Sequence, residues 1–407
     1  MTLYEDLKWR GLIKDISSPE LENKLNNEKL TFYIGTDPTA DSMHIGHFSS
    51  FLIATRLAKY GHKPILLIGG ATGLIGDPKP SKERQMITKE AVEKNVLGLT
   101  KQAKEIFGFE VVNNYDWIKD INTINFLRDY GKYINVNYML DKDIISRRLE
   151  TGITFCYFAF TILQGLDFVH LYETKGATLE VAGSDQWGNI TTGIELARKK
   201  NNVELYGMTM PLVLDANGVK FGKTEGNALW LDKNKTSSYE LYQYLINSDD
   251  TCVIDYLKKL TFLTKEEIEN IEIEHNKQPE LRLSQKTLAK EVITFLHGEE
   301  EFNKAVKISE ALFSGNINSL SIDEIEDAFK DVPNFEAKEL SLIDLLVNNS
   351  IATSKREARE FISAGSITIN GNKMLDESEL IDRSKAIGNK YLVIRKGKKK
   401  YYMGIYK

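Results

Sequence analysis

Along the first half of the chain, short apolar runs alternate with longer stretches in which apolar residues recur at helical spacing. Positions 31–36 form a β-rich run that breaks into Asp37, Pro38 and Thr39, and positions 45–60 then carry a helical pattern. The apolar run 64–68 predicts a buried strand, closed by Gly69 and Gly70. The same reading gives helices at 90–107, 121–133, 155–173 and 189–199, with strands at 110–113 and 180–183. Strands alternating with helices predict a doubly wound α/β domain of Rossmann type, with a mostly parallel sheet covered on both faces. Ligands in such sheets sit at the carboxyl ends of the strands.

Beyond 236 the strand signals stop and helical patterns run to about 330, with Glu-rich and Lys-rich faces. The expected organisation is an α/β domain over 1–235, a helical domain over 236–330, a linker at 331–340 containing Pro333, and a small α+β module over 341–407. In that module, helical patterns at 341–349 and 354–364 precede a strand at 367–369, an Asn370-Gly371 hairpin turn and a second β-rich run at 391–395.

Charge changes this picture. The 407 residues carry a net charge of -5, which excludes a uniformly basic nucleic-acid binder, yet 13 basic and 7 acidic residues lie between Ser341 and Lys407. An acidic body with a basic appendage predicts that one part meets a polyanion while the rest does something else. The two cysteines, Cys156 and Cys252, are far apart and make neither a disulfide framework nor a zinc site, so a reducing cytoplasm is expected. No stretch offers the roughly 20 apolar residues of a membrane helix, and no membrane partner is expected.

Two motifs carry the chemistry. His44-Ile45-Gly46-His47 stands at the start of a helix, where free backbone N–H groups and the helix dipole favour a phosphate, and Gly46 permits close approach. An isolated pair of this kind is more often a set of capping histidines or half a metal site. Here no third and fourth ligand follow with metal spacing, so no metal site is assigned, and the strand–loop–helix setting suits a triphosphate. Lys220-Phe221-Gly222-Lys223-Thr224 lies in a stretch without secondary-structure signal, where a loop could close over a polyphosphate and neutralise a departing pyrophosphate.

Taken together, these two motifs resemble the signature pair of class I aminoacyl-tRNA synthetases. Over almost its whole length the chain resembles the bacterial-type tyrosyl-tRNA synthetases, through YIGTDPTADSMHIGH (33–47), GGATGLIGDP (69–78), QGLD (164–167), GSDQWGN (183–189) and KFGKT (220–224), in the family's order. The resemblance implies that Tyr33 and Asp167 hold the phenolic hydroxyl of tyrosine, that Asp77, Phe160 and Gln164 surround its ammonium, and that Gln186 orients its carboxylate. It implies that Gly35, Asp37, Gly46, Gly183, Asp185 and Lys223 meet ATP. Thr39, His44 and His47 would hold the triphosphate from the helix side, with Lys82, Arg84, Lys220, Lys223 and Thr224 on the loops. Magnesium is expected on the phosphates, with no protein ligand assigned. The partners implied are L-tyrosine, ATP, tRNA(Tyr) and a second copy of the chain.

Family members usually carry a tyrosine where this chain has Phe160, four residues before Gln164. A phenyl ring keeps a cation–π contact, worth about 0.5 to 2 kcal/mol, but offers the ammonium no oxygen, so weaker tyrosine binding is expected. The basic module resembles an S4-type RNA-binding domain over 353–370, with Lys355, Arg356, Arg359, Lys396, Lys398, Lys399 and Lys400 expected on the phosphate backbone of RNA. The tryptophanyl relatives share both phosphate motifs, and Tyr33 with Asp167 argues against them. A synthetase-like RNA-binding protein without aminoacylation predicts damaged phosphate motifs, whereas both are intact. A nicotinamide-binding enzyme is weaker still, since no GxGxxG follows the first strand.

Overall fold

The computed structural model describes residues 1–76, 87–142, 145–146, 149–150, 152–222, 228–330, 332–397 and 400–407. Asp77, Lys82, Arg84, Lys223, Thr224, Lys398 and Lys399 lie outside the described residues. The chain divides into two compact units, one of residues 1–235 and 248–292, the other of residues 236–247 and 293–407.

In the first unit, strands β1 (Asp15–Ile16), β2 (Thr31–Thr36), β3 (Lys63–Ile68), β4 (Glu110–Asn113), β5 (Ala177–Gly183) and β6 (Tyr206–Met210) form one sheet in the order β1-β6-β5-β2-β3-β4. All neighbours are parallel except β1 and β6. The mostly parallel doubly wound architecture is therefore present. From β2 the chain moves outward through β3 to β4, then returns to the other side of β2 with β5. That reversal leaves a crevice beyond the carboxyl ends of β2 and β5.

Strand β6 lacks the alternation that marks a half-exposed strand because all five of its residues are buried. Strand β5 begins at Ala177, three residues before the strand expected at 180–183. The helix expected at 90–107 runs as Lys89–Gln102 and then widens into a π turn over Ala103–Phe107. Helices Asp250–Leu260 and Lys265–Lys277 belong to this unit, and two buried arginines explain why. Arg10 donates to the carbonyls of Lys258 (2.9 Å) and Leu263 (2.6 Å), and Arg56 donates to that of Thr261 (2.6 Å).

In the second unit, strands β7 (Asn334–Glu336), β9 (Ile367–Ile369), β10 (Asn372–Lys373), β12 (Tyr391–Lys396) and β13 (Lys400–Ile405) form a sheet in the order β10-β9-β12-β13-β7, and β8 (Leu340–Ser341) pairs with β11 (Leu380–Ile381). The segment expected as a linker at 331–340 is therefore partly strand, with β7 parallel to β13. Helices Glu299–Ser314 and Ile322–Ala328 share one core with this sheet, in which Ile308, Ala311, Ile325 and Phe329 pack with Tyr391, Val393 and Met403. Among the described residues no helix is long and apolar enough to cross a membrane.

Candidate active site

A pocket of about 360 Å³ opens at the crevice of the first unit. It is lined by Gly35, Asp37 and Thr39 at and beyond the end of β2, by His44, Gly46 and His47, by Gln164 and Asp167, by Gly183, Asp185 and Gln186 at and beyond the end of β5, and by Lys220. Twelve residues assigned from the sequence thus meet at one place. Tyr33 is buried behind the lining residue Glu180, to which it is hydrogen-bonded, and does not itself line the pocket; its ring is edge-on to Phe168 at 5.2 Å. Phe160, 1 % exposed, does not line the pocket either.

Helix Ile45–Lys59 starts with a reciprocal cap made by the two histidines. His44 Nδ1 accepts from the Gly46 N–H (3.1 Å), His47 Nδ1 accepts from the His44 N–H (3.1 Å), and the rings stack at 3.9 Å. The capping reading and the phosphate reading are thus compatible. With Nδ1 accepting in both rings, the proton of each neutral imidazole sits on Nε2, a tautomer assigned from the hydrogen bonds. Burial, reinforced by His44, holds the His47 imidazole down to about 3, so it acts as a neutral donor at neutral pH. Gly46 is required by the cap itself, since a Cβ there would come within 2.9 Å of the His44 ring.

The chain that follows the second motif is seated on the first. Ile45 N–H donates to the Leu229 carbonyl (2.8 Å), Leu231 N–H donates to that of Met43 (2.8 Å), and His44 bridges Trp230. These bonds hold the Leu229–Leu231 segment against the helix start.

At the pocket's other end, Asp167 is 2 % exposed and accepts from Asn114 Nδ2 (3.0 Å) and Trp117 Nε1 (2.9 Å). Burial raises its carboxyl to about 7, opposed by those two N–H donors and aided by Asp37. Gln164 Oε1 is buried without a hydrogen-bond partner among the described residues, an acceptor that calls for a donor. Gln186 Oε1 accepts from Asn189 Nδ2 (2.8 Å). Among the described residues, no group of three or more His, Cys, Asp and Glu is gathered as for a metal ion.

The model for class I tRNA synthetases of the tryptophan and tyrosine type matches residues 25–314, and the model for the C-terminal domain of tyrosine–tRNA ligases matches residues 324–404. The chain is 49% identical to the tyrosine–tRNA ligase of Listeria innocua, with 100% of each covered, and 50% identical to that of Staphylococcus saprophyticus, with 100% of this chain and 99% of the relative covered. Among solved structures it resembles the truncated mitochondrial tyrosyl-tRNA synthetase of Aspergillus nidulans, with a TM-score of 0.69, 31% identity, and coverage of 77% of this chain and 94% of that one. The chain belongs to the tyrosine–tRNA ligase family.

For a tyrosine–tRNA ligase, the sequence reading overlooked the residues that hold Asp167 in place. Asn114 is fully buried and, besides Asp167, bonds Thr72 Oγ1 (3.1 Å) and accepts from the Ala71 N–H (2.8 Å). Thr72 in turn faces Asp37 Oδ1 at 3.4 Å. Glu180 on β5 lines the pocket and is hydrogen-bonded to Tyr33. The only sequence signal for Asn114 and Trp117 is position, since both follow the carboxyl end of β4.

In the C-terminal module four of the expected RNA-facing cations, Lys355, Arg356, Arg359 and Lys396, are already engaged. Lys355 pairs with Asp344 (2.8 Å), Arg356 with Glu360 (3.3 Å) and Arg359 with Glu377 (2.7 Å). Lys396 turns onto the module itself, donating to the Ile351 carbonyl (2.7 Å) and lying over the Phe361 ring. Lys400 opens strand β13 and is exposed. Exposed pairs of this sort hold by only about 0 to 1 kcal/mol, so a phosphate competes readily for the cation.

Proposed function

We propose that this pocket binds tyrosine and ATP side by side and joins them before transfer to tRNA. The activity is that of the family, the ATP-dependent ligation of tyrosine to tRNA. In our assignment the substrate's phenol lies between Tyr33 and Asp167, its ammonium donates to Gln164 Oε1, and its carboxylate is oriented by the Gln186 NH2. Asp185 and Gly183 meet the nucleoside, with Gly35 and Asp37 opposite. Thr39 and the Nε2–H groups of His44 and His47 hold the phosphates, with Lys220 completing the charge.

The tyrosine carboxylate attacks the α-phosphorus of ATP, the bond to the β-phosphate oxygen breaks, and pyrophosphate leaves with the electron pair. No general base is needed, because the nucleophile is already ionised. Catalysis is positioning plus stabilisation of the leaving charge. A ribose hydroxyl at the 3' end of tRNA then attacks the adenylate carbonyl and AMP departs. Magnesium would enter as the magnesium complex of ATP, as part of the substrate. A site built to hydrogen-bond a hydroxyl rejects phenylalanine because its buried polar groups would be left unpaired, a principle for which tyrosine activation is itself the standard example.

We assign the helical segment 236–330 to the anticodon end of tRNA, and 341–407, an S4-like module, to its backbone. A second copy of the chain is the partner we assign to an exposed apolar set at Ile124, Leu127, Val136, Phe155 and Leu149. Light scattering should then give twice the chain's 46.3 kDa. Both cysteines are free, which suits the reducing cytoplasm.

The observation that carries this reading is the convergence of the histidine-capped helix start, Lys220 and the buried Asp167 on one pocket. Tyrosine-dependent exchange of pyrophosphate into ATP tests it, with phenylalanine and tryptophan as controls. Exchange with tyrosine alone is the expected result. Exchange with none of the three would leave a synthetase-like RNA-binding protein as the better reading.

A further inference from the structure

Glu180 lines the pocket, yet the assignments above give it nothing to do. It lies on β5 directly across from Tyr33 on β2, as its register partner in the sheet, and the two side chains are hydrogen-bonded. Both Tyr33 and Glu180 also feel the charge of Asp167, which Asn114 and Trp117 hold.

The count of protons decides how such a row can work. A phenol has one proton to donate and lone pairs to accept with. If Glu180 is a carboxylate, Tyr33 must donate to it and can meet the substrate hydroxyl only as an acceptor. The substrate's single proton then faces two acceptors, Tyr33 and Asp167, and one of them goes unpaired. If Glu180 carries a proton, every bond is filled in one direction: Glu180 to Tyr33, Tyr33 to the substrate oxygen, and the substrate proton to Asp167.

We propose that Glu180 is a positioning residue for tyrosine recognition, donating a proton to Tyr33 Oη and so turning the Tyr33 hydroxyl proton toward the substrate's phenolic oxygen. The proposal rests on the reading in which Tyr33 and Asp167 hold the phenol. The environment favours this distribution of protons. Two N–H donors stabilise the anion on Asp167, whereas Glu180 is bonded to Tyr33 and is opposed by the Asp167 charge. Burial, with the Asp167 charge, raises the Glu180 carboxyl to about 8. Of the two carboxyls, Asp167 is the one whose anion is met by two N–H donors, and its charge opposes a second one on Glu180.

The test is pyrophosphate exchange by the full-length protein between pH 7 and pH 9, comparing tyrosine with phenylalanine. In the parent, kcat/KM for tyrosine should fall about tenfold over that range, mainly through KM, as Glu180 loses its proton. Glu180→Gln presents an N–H donor to Tyr33 at every pH and should flatten the fall. Glu180→Leu should raise the tyrosine KM about tenfold at pH 7 and narrow the preference for tyrosine over phenylalanine. The proposal is overturned if Glu180→Gln keeps the parent's alkaline fall, or if a folded Glu180→Leu keeps the parent's preference. Tyr33→Phe separates the two levels. Preference surviving that change would remove the phenol reading and this proposal together, whereas preference lost there but unaltered by both Glu180 variants would remove this proposal alone.

Discussion

Gly222 packs on Ile45 so closely that a Cβ at position 222 would lie 1.8 Å from Ile45 Cγ2, and its φ of +82° is one that other residues rarely adopt. The phosphate loop and the histidine-capped helix therefore meet through a glycine. Gly222→Ala should displace Lys220 and the loop beyond it relative to the helix start. A shift of this size in a group that positions phosphate costs on the order of 10²-fold in rate. Pyrophosphate exchange at saturating tyrosine should show that loss in kcat, while equilibrium dialysis should find tyrosine affinity within about twofold of the parent, since Tyr33 and Asp167 are untouched.

His47 gives the native state a dependence on acid. Its imidazole is held near 3 in the folded chain against an ordinary 6.5, so between those values the unfolded chain binds a proton that the folded chain does not. Stability contributed by the neutral ring is fully present above pH 6.5. It is lost as the pH falls, at up to about 1.4 kcal/mol per pH unit. His47→Gln restores the residue that a capping box ordinarily uses at this position. The stability advantage of the parent over this variant, measured by urea unfolding, should shrink between pH 6.5 and pH 5. Exchange activity of the variant should drop by about 10² to 10³, the usual loss for a donor to developing charge.

Phe160 lies one turn of helix Phe155–Lys175 ahead of Gln164, whose Oε1 has no partner among the described residues. Because Phe160 is 1 % exposed, a hydroxyl added to its ring enters a buried setting and must find a hydrogen bond there. Phe160→Tyr should bind tyrosine about three- to tenfold more tightly if that hydroxyl reaches the ammonium, in line with about 0.5 to 1.5 kcal/mol for one net hydrogen bond. Isothermal titration with tyrosine reads this directly. Unchanged affinity with a lower melting point would mean that the hydroxyl is simply stranded.

How far the sequence could be read depended on whether the needed partner was local. Strand 31–36 and the helix starting at His44 were visible because each is specified by its own spacing and by the break at Asp37. Strand β6 escaped because Tyr206–Met210 is buried on both faces and mixes Gly and Met with one Thr, so neither alternation nor branching marked it. Strand β13 was hidden for the opposite reason, since a run of lysines leads into it and reads as a solvated end. The roles of Asn114, Trp117 and Glu180 exist only once β4 and β5 flank β3 and β2. Asp167 lies 50 and 53 positions from its two donors, a pairing no local pattern can announce.

The three-residue cluster Asp6, Arg10 and Arg56 makes a prediction in which simple charge logic and backbone accounting disagree. Asp6 accepts from Arg10 Nε at 2.9 Å and faces Arg56 Nη1 at 3.5 Å, with all three side chains at most 9 % exposed. Burial, and secondarily Arg10, lowers the Arg56 guanidinium to about 10. Asp6→Asn leaves two buried cations without their anion and should cost about 3 to 5 kcal/mol, seen as a large drop in the first thermal transition. Replacing a whole buried charge cluster by apolar residues often restores stability. Here it should not. Arg10 and Arg56 also hold the carbonyls of Lys258, Thr261 and Leu263 at the end of helix Asp250–Leu260, and the triple change to Leu, Met and Met would strand those acceptors. The triple variant should therefore melt no higher than Asp6→Asn, and recovery to the parent midpoint would show that the guanidiniums matter only to Asp6.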